Sequence, residues 1–247
     1  MGAYALRPMS TGEILDGALT LLRRHFGLLC GLAILCQGLP TALDVYLDLT
    51  GGSARHQGLS LLDRLLTWLG SLLVRGGAIW VVSETYLGRA PRLRDALRFA
   101  GDHVGQVFTA GLASGLVTLL ATLGLVIPGI VVYCGYSVVL QVAVLEPRGS
   151  SGALGRSWDL TKGYKWKALG LWAVSLALLV VLFAGTTAIG AVAEQVQPVQ
   201  VTSAVLSAGA QLLIYPLIGC VFTLFYYDLR IRKEGFDLEV LSQSLSS

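Results

Sequence analysis

VFTAGLASGLVTLLATLGLVIPGIVVYCGYSVVLQVAVL, residues Val107–Leu145, contains no Asp, Glu, Lys or Arg. A helix that crosses a bilayer needs about 20 apolar residues, so this stretch is about twice one crossing. Pro128-Gly129 near its middle marks the expected reversal, with Val107–Val126 and Ile130–Leu145 as two crossings joined in a helical hairpin. Working outward, comparable apolar runs lie at Phe26–Leu43, Leu65–Val82, Ala168–Val192 and Val201–Tyr226. The reading is an all-α polytopic membrane protein with six transmembrane helices.

Composition points the same way. Of the 247 residues, 54% are hydrophobic and 13% charged, whereas a soluble domain carries about 25% charged residues. Six crossings consume about half of such a chain, which leaves no room for a large soluble catalytic domain. Cys30, Cys36, Cys134 and Cys220 lie in apolar runs without a paired C-x-x-C, so no metal site is expected. His25, His56 and His103 are scattered, and no H-E-x-x-H, G-x-S-x-G or glycine-rich phosphate loop occurs. No catalytic residue, cofactor or enzymatic activity is therefore expected. The N-terminal MGAYALRPMSTGEILDG has no apolar core of a cleaved signal.

Orientation comes from the basic residues. All Lys and Arg except Arg55, Arg64 and Arg75 fall on one side of the six crossings. The positive-inside rule then places both termini in the cytoplasm and the chain in the plasma (inner) membrane. The basic clusters are read as topology signals and contacts to anionic phospholipid, not as a nucleic-acid site.

Three connecting segments resemble one another. Before the first crossing, Ile14, Leu15, Ala18, Leu19, Leu22 and Phe26 share a helical face opposite Glu13, Asp16, Arg23 and Arg24. Ser10 and Glu13 supply a capping box at its start. Before the third crossing, Leu93, Leu97, Ala100, Val104 and Val107 oppose Arg94, Asp95, Arg98 and Asp102. ALGRSWDLTKGYKWKAL, from Ala153, repeats the idea before the fifth. The expected organisation is three hairpins, each preceded by a cytoplasmic amphipathic helix, in units of about 10–88, 89–147 and 148–230 with a tail at 231–247.

On these residues a family resemblance rests. LRPMSTGEILDGALTLLRRHFG from Leu6, LGLVIPGIVVYCGYSVVLQVAVLEPRGSSGALGRSWDLTKGYKWKALG from Leu123 and FYYDLRIRKEGFDLE from Phe225 resemble the glycerophosphoryl diester phosphodiesterase membrane-domain family. The resemblance implies a six-helix membrane module that occurs alone in many prokaryotic proteins and fused to a soluble phosphodiesterase in others. The catalytic domain of the fused members has no counterpart in this chain.

Few polar residues interrupt the crossings. Arg75 is the most conspicuous, because a cation near the bilayer centre costs at least about 2.5–3.5 kcal/mol unless it faces protein or water. Glu84 lies on the same helix but too far along it for a direct pair, so Gln37, Asp44, Gln141 and Gln211 are the candidate partners. Arg75 either ties helices together or binds an anionic head group in a polar cavity lined by Glu84 and a sixth helix broken at Pro216. At the cytoplasmic level, Glu13 or Asp16 is expected to pair with Arg230 or Arg232, with Asp228 beside them, locking the chain ends together. Arg92, Arg94, Arg98, Lys162, Lys165 and Lys167 form an expected lipid-facing basic collar. Tyr226, Tyr227, Trp158, Trp166 and Trp172 suit an interfacial aromatic belt. The leading functional reading is a non-catalytic membrane module or assembly subunit that engages anionic lipid and a protein partner or a second copy. Its alternative is a transporter or lipid-handling protein built around Arg75.

Overall fold

The computed structural model describes residues 7–49, 57–146, 149–193 and 200–235. Its described elements are all helical: α1 (Thr11–Arg24), α2 (Phe26–Leu49), α3 (Gln57–Tyr86), α4 (Leu93–Asp102), α5 (Val104–Gly124), α6 (Val126–Gly135), α7 (Val139–Leu145), α8 (Gly149–Thr161), α9 (Lys165–Ala193) and α10 (Gln200–Glu234). Six stretches are long and apolar enough to span a membrane: Phe26–Leu47, Gly58–Tyr86, Val104–Gly124, Val126–Leu145, Lys165–Ile189 and Leu212–Glu234. The chain is thus a multi-pass membrane protein. A short helix, α1, α4 or α8, precedes each successive pair of spans.

Burial sorts the spans into a centre and a shell. The sixth is 78% buried and the second 56%, while the third and fifth, at 11% and 17%, turn most of their surface outward. Hydrocarbon supplies no hydrophobic drive between helices, so close backbone approach takes over. A Cβ at Gly219 of α10 would lie 2.8 Å from that of Ala78 on α3, so only glycine lets these two central helices meet there.

At the N-terminus the capping box forms. Ser10 Oγ accepts from the Glu13 N–H at 3.2 Å, and Glu13 Oε2 accepts from the Ser10 N–H at 2.7 Å. The buried residues of α1 are Ile14, Ala18 and Leu21, and the helix packs on α10. The Ser10 backbone N–H, then Arg7, hold the Glu13 carboxyl down to about 2 from an ordinary 4.5. A depressed folded-state value means stabilisation that is full above about pH 4.5 and drains away as pH falls toward about 2. Glu13→Gln should flatten that acid limb, and an unchanged acid profile in thermal unfolding from pH 5 to 2 would refute the assignment.

Three features differ from the sequence expectations. The reversal between the third and fourth spans sits at Leu125, which is extended (φ −162°, ψ 142°), while Pro128 lies in the first turn of α6. There its missing N–H costs no hydrogen bond. Gly129 instead serves close packing, because a Cβ at that position would lie 2.8 Å from Thr122 Cα. Pro216 does not break its helix: α10 runs through it, just as α2 contains Pro40, which membrane helices tolerate when neighbours re-satisfy the freed carbonyls.

The broken span is the fourth. α6 ends at Gly135, Tyr136–Val138 turn, and α7 resumes at Val139. Ser157 Oγ and Thr161 Oγ1 of α8 donate to the Gly135 carbonyl at 2.9 and 3.0 Å, replacing helix bonds that the break removes. Trp158 lies against Gly135, where a Cβ would come within 2.6 Å of its ring. Ala153, Ser157, Leu160 and Thr161 are accordingly buried on one face of α8, while Gly155 and Asp159 on the other are exposed.

Candidate functional site: a cavity at mid-span

The break in the fourth span forms one wall of a cavity of about 470 Å³. Trp68, Leu72 and Arg75 of α3 face it, as do Tyr133 of α6, Tyr136 and Ser137 of the break, and Gln141 of α7. Trp172 of α9 and Ile218, Gly219 and Phe222 of α10 close it, and a strip of α5 from Gly111 to Thr122 completes it. At about 1.5 Å of rise per residue, Arg75 lies about 16 Å of helix from Tyr86. That depth is about half of a 30 Å hydrocarbon layer.

The cavity gathers unpartnered polar atoms. Arg75 Nε, Ser137 Oγ, Gln141 Oε1 and Trp172 Nε1 are buried without a hydrogen-bond partner in the protein. Each such group costs about 1–3 kcal/mol when left unmade, so four around one space mark a functional candidate. No carboxylate among the described residues pairs with Arg75; its ionisable neighbours are Tyr133 and Tyr215.

The α5 wall is different in kind. Ser114 Oγ donates to Gly111 O at 3.0 Å, Thr118 Oγ1 to Ser114 O at 2.7 Å and Thr122 Oγ1 to Thr118 O at 2.8 Å. Their protons go back to their own helix, so oxygen lone pairs remain toward the cavity. Gly115, Leu119, Thr122 and Tyr133 around the α5–α6 side are exposed. In a membrane that opening faces acyl chains.

Of the residues singled out in the sequence, Arg75 and Gln141 meet here. Glu84 does not: it pairs with Arg89 at 3.6 Å near the end of α3. Gln37 is buried elsewhere, in the contact where Gly70 of α3 approaches α2. Gln211 lies on α10, and its side chain is outside the described residues. Sequence reasoning missed Ser137, Tyr133 and Trp172. It also missed the hydroxyls at 114, 118 and 122, whose four-residue spacing puts them on one helix face.

The chain ends meet through a different set of pairs from the one expected. Asp228 is fully buried and accepts from the Met9 N–H at 2.7 Å, Lys167 Nζ at 2.6 Å and Arg232 Nε at 3.0 Å. Lys167 and Arg232 also donate to the Met9 carbonyl. Glu13 pairs with Arg7, and Arg230 with Glu234, so neither Glu13 nor Asp16 bridges to the C-terminal arginines. The reason is that Ser10 and Arg7 engage Glu13 locally, while Asp228 points inward. Lys167 therefore belongs to a buried cluster, its side chain 14% exposed, and not to a lipid-facing collar. Lys165 caps the Trp158 ring at 3.2 Å. Arg92, Arg94, Arg98 and Lys162 are exposed.

A second network ties α7, α8 and α10. Arg156 pairs with Glu146 at 2.9 Å and with Glu234, and Tyr226 donates to Glu146 at 3.2 Å. Burial opposes the Arg156 charge, but Glu146 and Glu234 more than offset it and raise its pKa. Tyr226 and Tyr227 are buried, with Tyr227 stacked on Tyr86, and Trp172 lines the cavity; Trp166, 85% exposed, alone of the five keeps the character of a belt residue. Among the described residues no group of three His, Cys, Asp or Glu is placed to hold a metal. No family model, curated protein or solved structure matches the chain.

Proposed function

We propose that the protein is a non-catalytic lipid-handling membrane module that takes an anionic amphiphile from the bilayer into the Arg75 cavity. The observation that carries this is a guanidinium held at mid-span with no carboxylate partner among the described residues, in a space that opens sideways. A cation in that position needs an anion or water, and the aromatic and aliphatic remainder of the lining suits acyl chains. No cofactor enters this reading.

The exposed Arg92, Arg94, Arg98 and Lys162 favour a second contact, with the anionic surface of the cytoplasmic leaflet. It goes with both termini in the cytoplasm, a plasma-membrane location and a protein partner or second copy docked on that face. The resemblance to the stand-alone phosphodiesterase membrane domain belongs to the same proposal, without its reaction.

The test is lipid analysis of protein purified in mild detergent. Wild type should retain a defined anionic amphiphile near one per chain. Arg75→Met should lose it by at least about tenfold, while Arg23→Met on the exposed face of α1 keeps it. Gly115→Phe gives an independent check at the exposed mouth, since nothing lies within 4 Å of a Cβ placed there, and its ring should obstruct entry. Equal retention by all four proteins would end the reading.

A further inference from the structure

The two walls of the cavity differ in hydrogen-bond sense, and that difference specifies the head group. Resting on the anionic-amphiphile reading, we infer that the cavity selects a singly anionic head group that also carries uncharged hydroxyl donors, as in a polyol phosphate ester. One wall donates: Arg75, the Trp172 Nε1–H and the Ser137 hydroxyl are unpartnered and meet an anion's oxygens. The α5 wall accepts, because Ser114, Thr118 and Thr122 commit their protons to the carbonyls of Gly111, Ser114 and Thr118. Gln141 Oε1, 4% exposed as a residue, adds an unpartnered acceptor.

An anion without donors satisfies only the first wall. The α5 hydroxyl oxygens then gain no further bond and the buried Gln141 Oε1 stays unpaired, which is how a polar site rejects an analogue lacking a hydroxyl. An ammonium donor would satisfy the acceptors but bring a second cation into a small low-dielectric space beside Arg75. Hydroxyls supply the donors without that repulsion.

The experiment is a paired binding measurement on the full chain in detergent micelles, titrated with dioleoylphosphatidylglycerol, dioleoylphosphatidylmethanol or dioleoylphosphatidylethanolamine and read by native mass spectrometry. The first two share charge and chains and differ in the head-group hydroxyls. We expect phosphatidylglycerol to be preferred over phosphatidylmethanol by at least about fivefold. Ser114→Ala with Thr118→Val should cut that preference below about twofold while leaving phosphatidylmethanol binding intact. Both hydroxyls bond only within α5, so the variant keeps the packing. Equal binding of the two anionic lipids, still dependent on Arg75, overturns the donor inference and leaves the anionic reading standing. Preference for phosphatidylethanolamine overturns the choice of an uncharged donor. Binding indifferent to Arg75→Met, or none, overturns the anionic reading itself.

Discussion

Asp228→Asn should destabilise the protein by about 3–5 kcal/mol, the range for removing one partner from a buried ion pair. The carboxylate is fully buried and takes hydrogen bonds from Lys167, Arg232 and the Met9 backbone. Asn keeps the shape and can still accept from Met9, so the loss is that of the charge. Lys167 and Arg232, whose side chains are 14% and 27% exposed, would then face each other without a counter-ion. The start of α1, the start of α9 and the end of α10 are joined at this point, so thermal unfolding followed by tryptophan fluorescence should move as one transition. Lys167→Met placed on Asp228→Asn should restore part of the loss, since it removes one orphaned cation. An unfolding temperature for Asp228→Asn equal to wild type would show the cluster to be hydrated and energetically idle.

What could be read from the sequence follows from the physics of each feature. The spans were legible because a run free of charge leaves hydrocarbon as the only comfortable solvent, and Val107–Leu145 is such a run. The break at Tyr136–Val138 was not, because no proline marks it; hydroxyls of Ser157 and Thr161, distant in sequence, stabilise the carbonyl it frees. Prolines misled in turn, since Pro128 starts a helix and Pro216 is accommodated inside one. Charge counting set the level of Asp228 and Lys167 along the bilayer normal, but level says nothing about which way a side chain points around its helix. Arg75 stood out alone as an anomaly. Its cavity is assembled from helices distant along the chain, and only the hydroxyl spacing on α5 left a local trace.

Arg75→Met should raise the stability of the lipid-free protein, by about 1–3 kcal/mol, even as it abolishes amphiphile binding. A guanidinium at mid-span without a carboxylate partner is a net burden on the empty fold, and replacing buried ions by apolar groups of similar volume is often stabilising. Met is long and adaptable enough to lie along the Trp68, Leu72 and Phe222 surface of the cavity. If Arg75 instead held helices together through a bond of its own, the same substitution would lower stability. The sign therefore separates a binding residue from a structural one. Adding anionic lipid should then reverse the order, because ligand stabilises wild type through mass action and finds no purchase in the variant. Two melting series, with and without phosphatidylglycerol, read both effects: the curves should cross as lipid rises. Parallel curves, with the variant below wild type throughout, would assign Arg75 to the scaffold and remove the main support for a lipid-handling role.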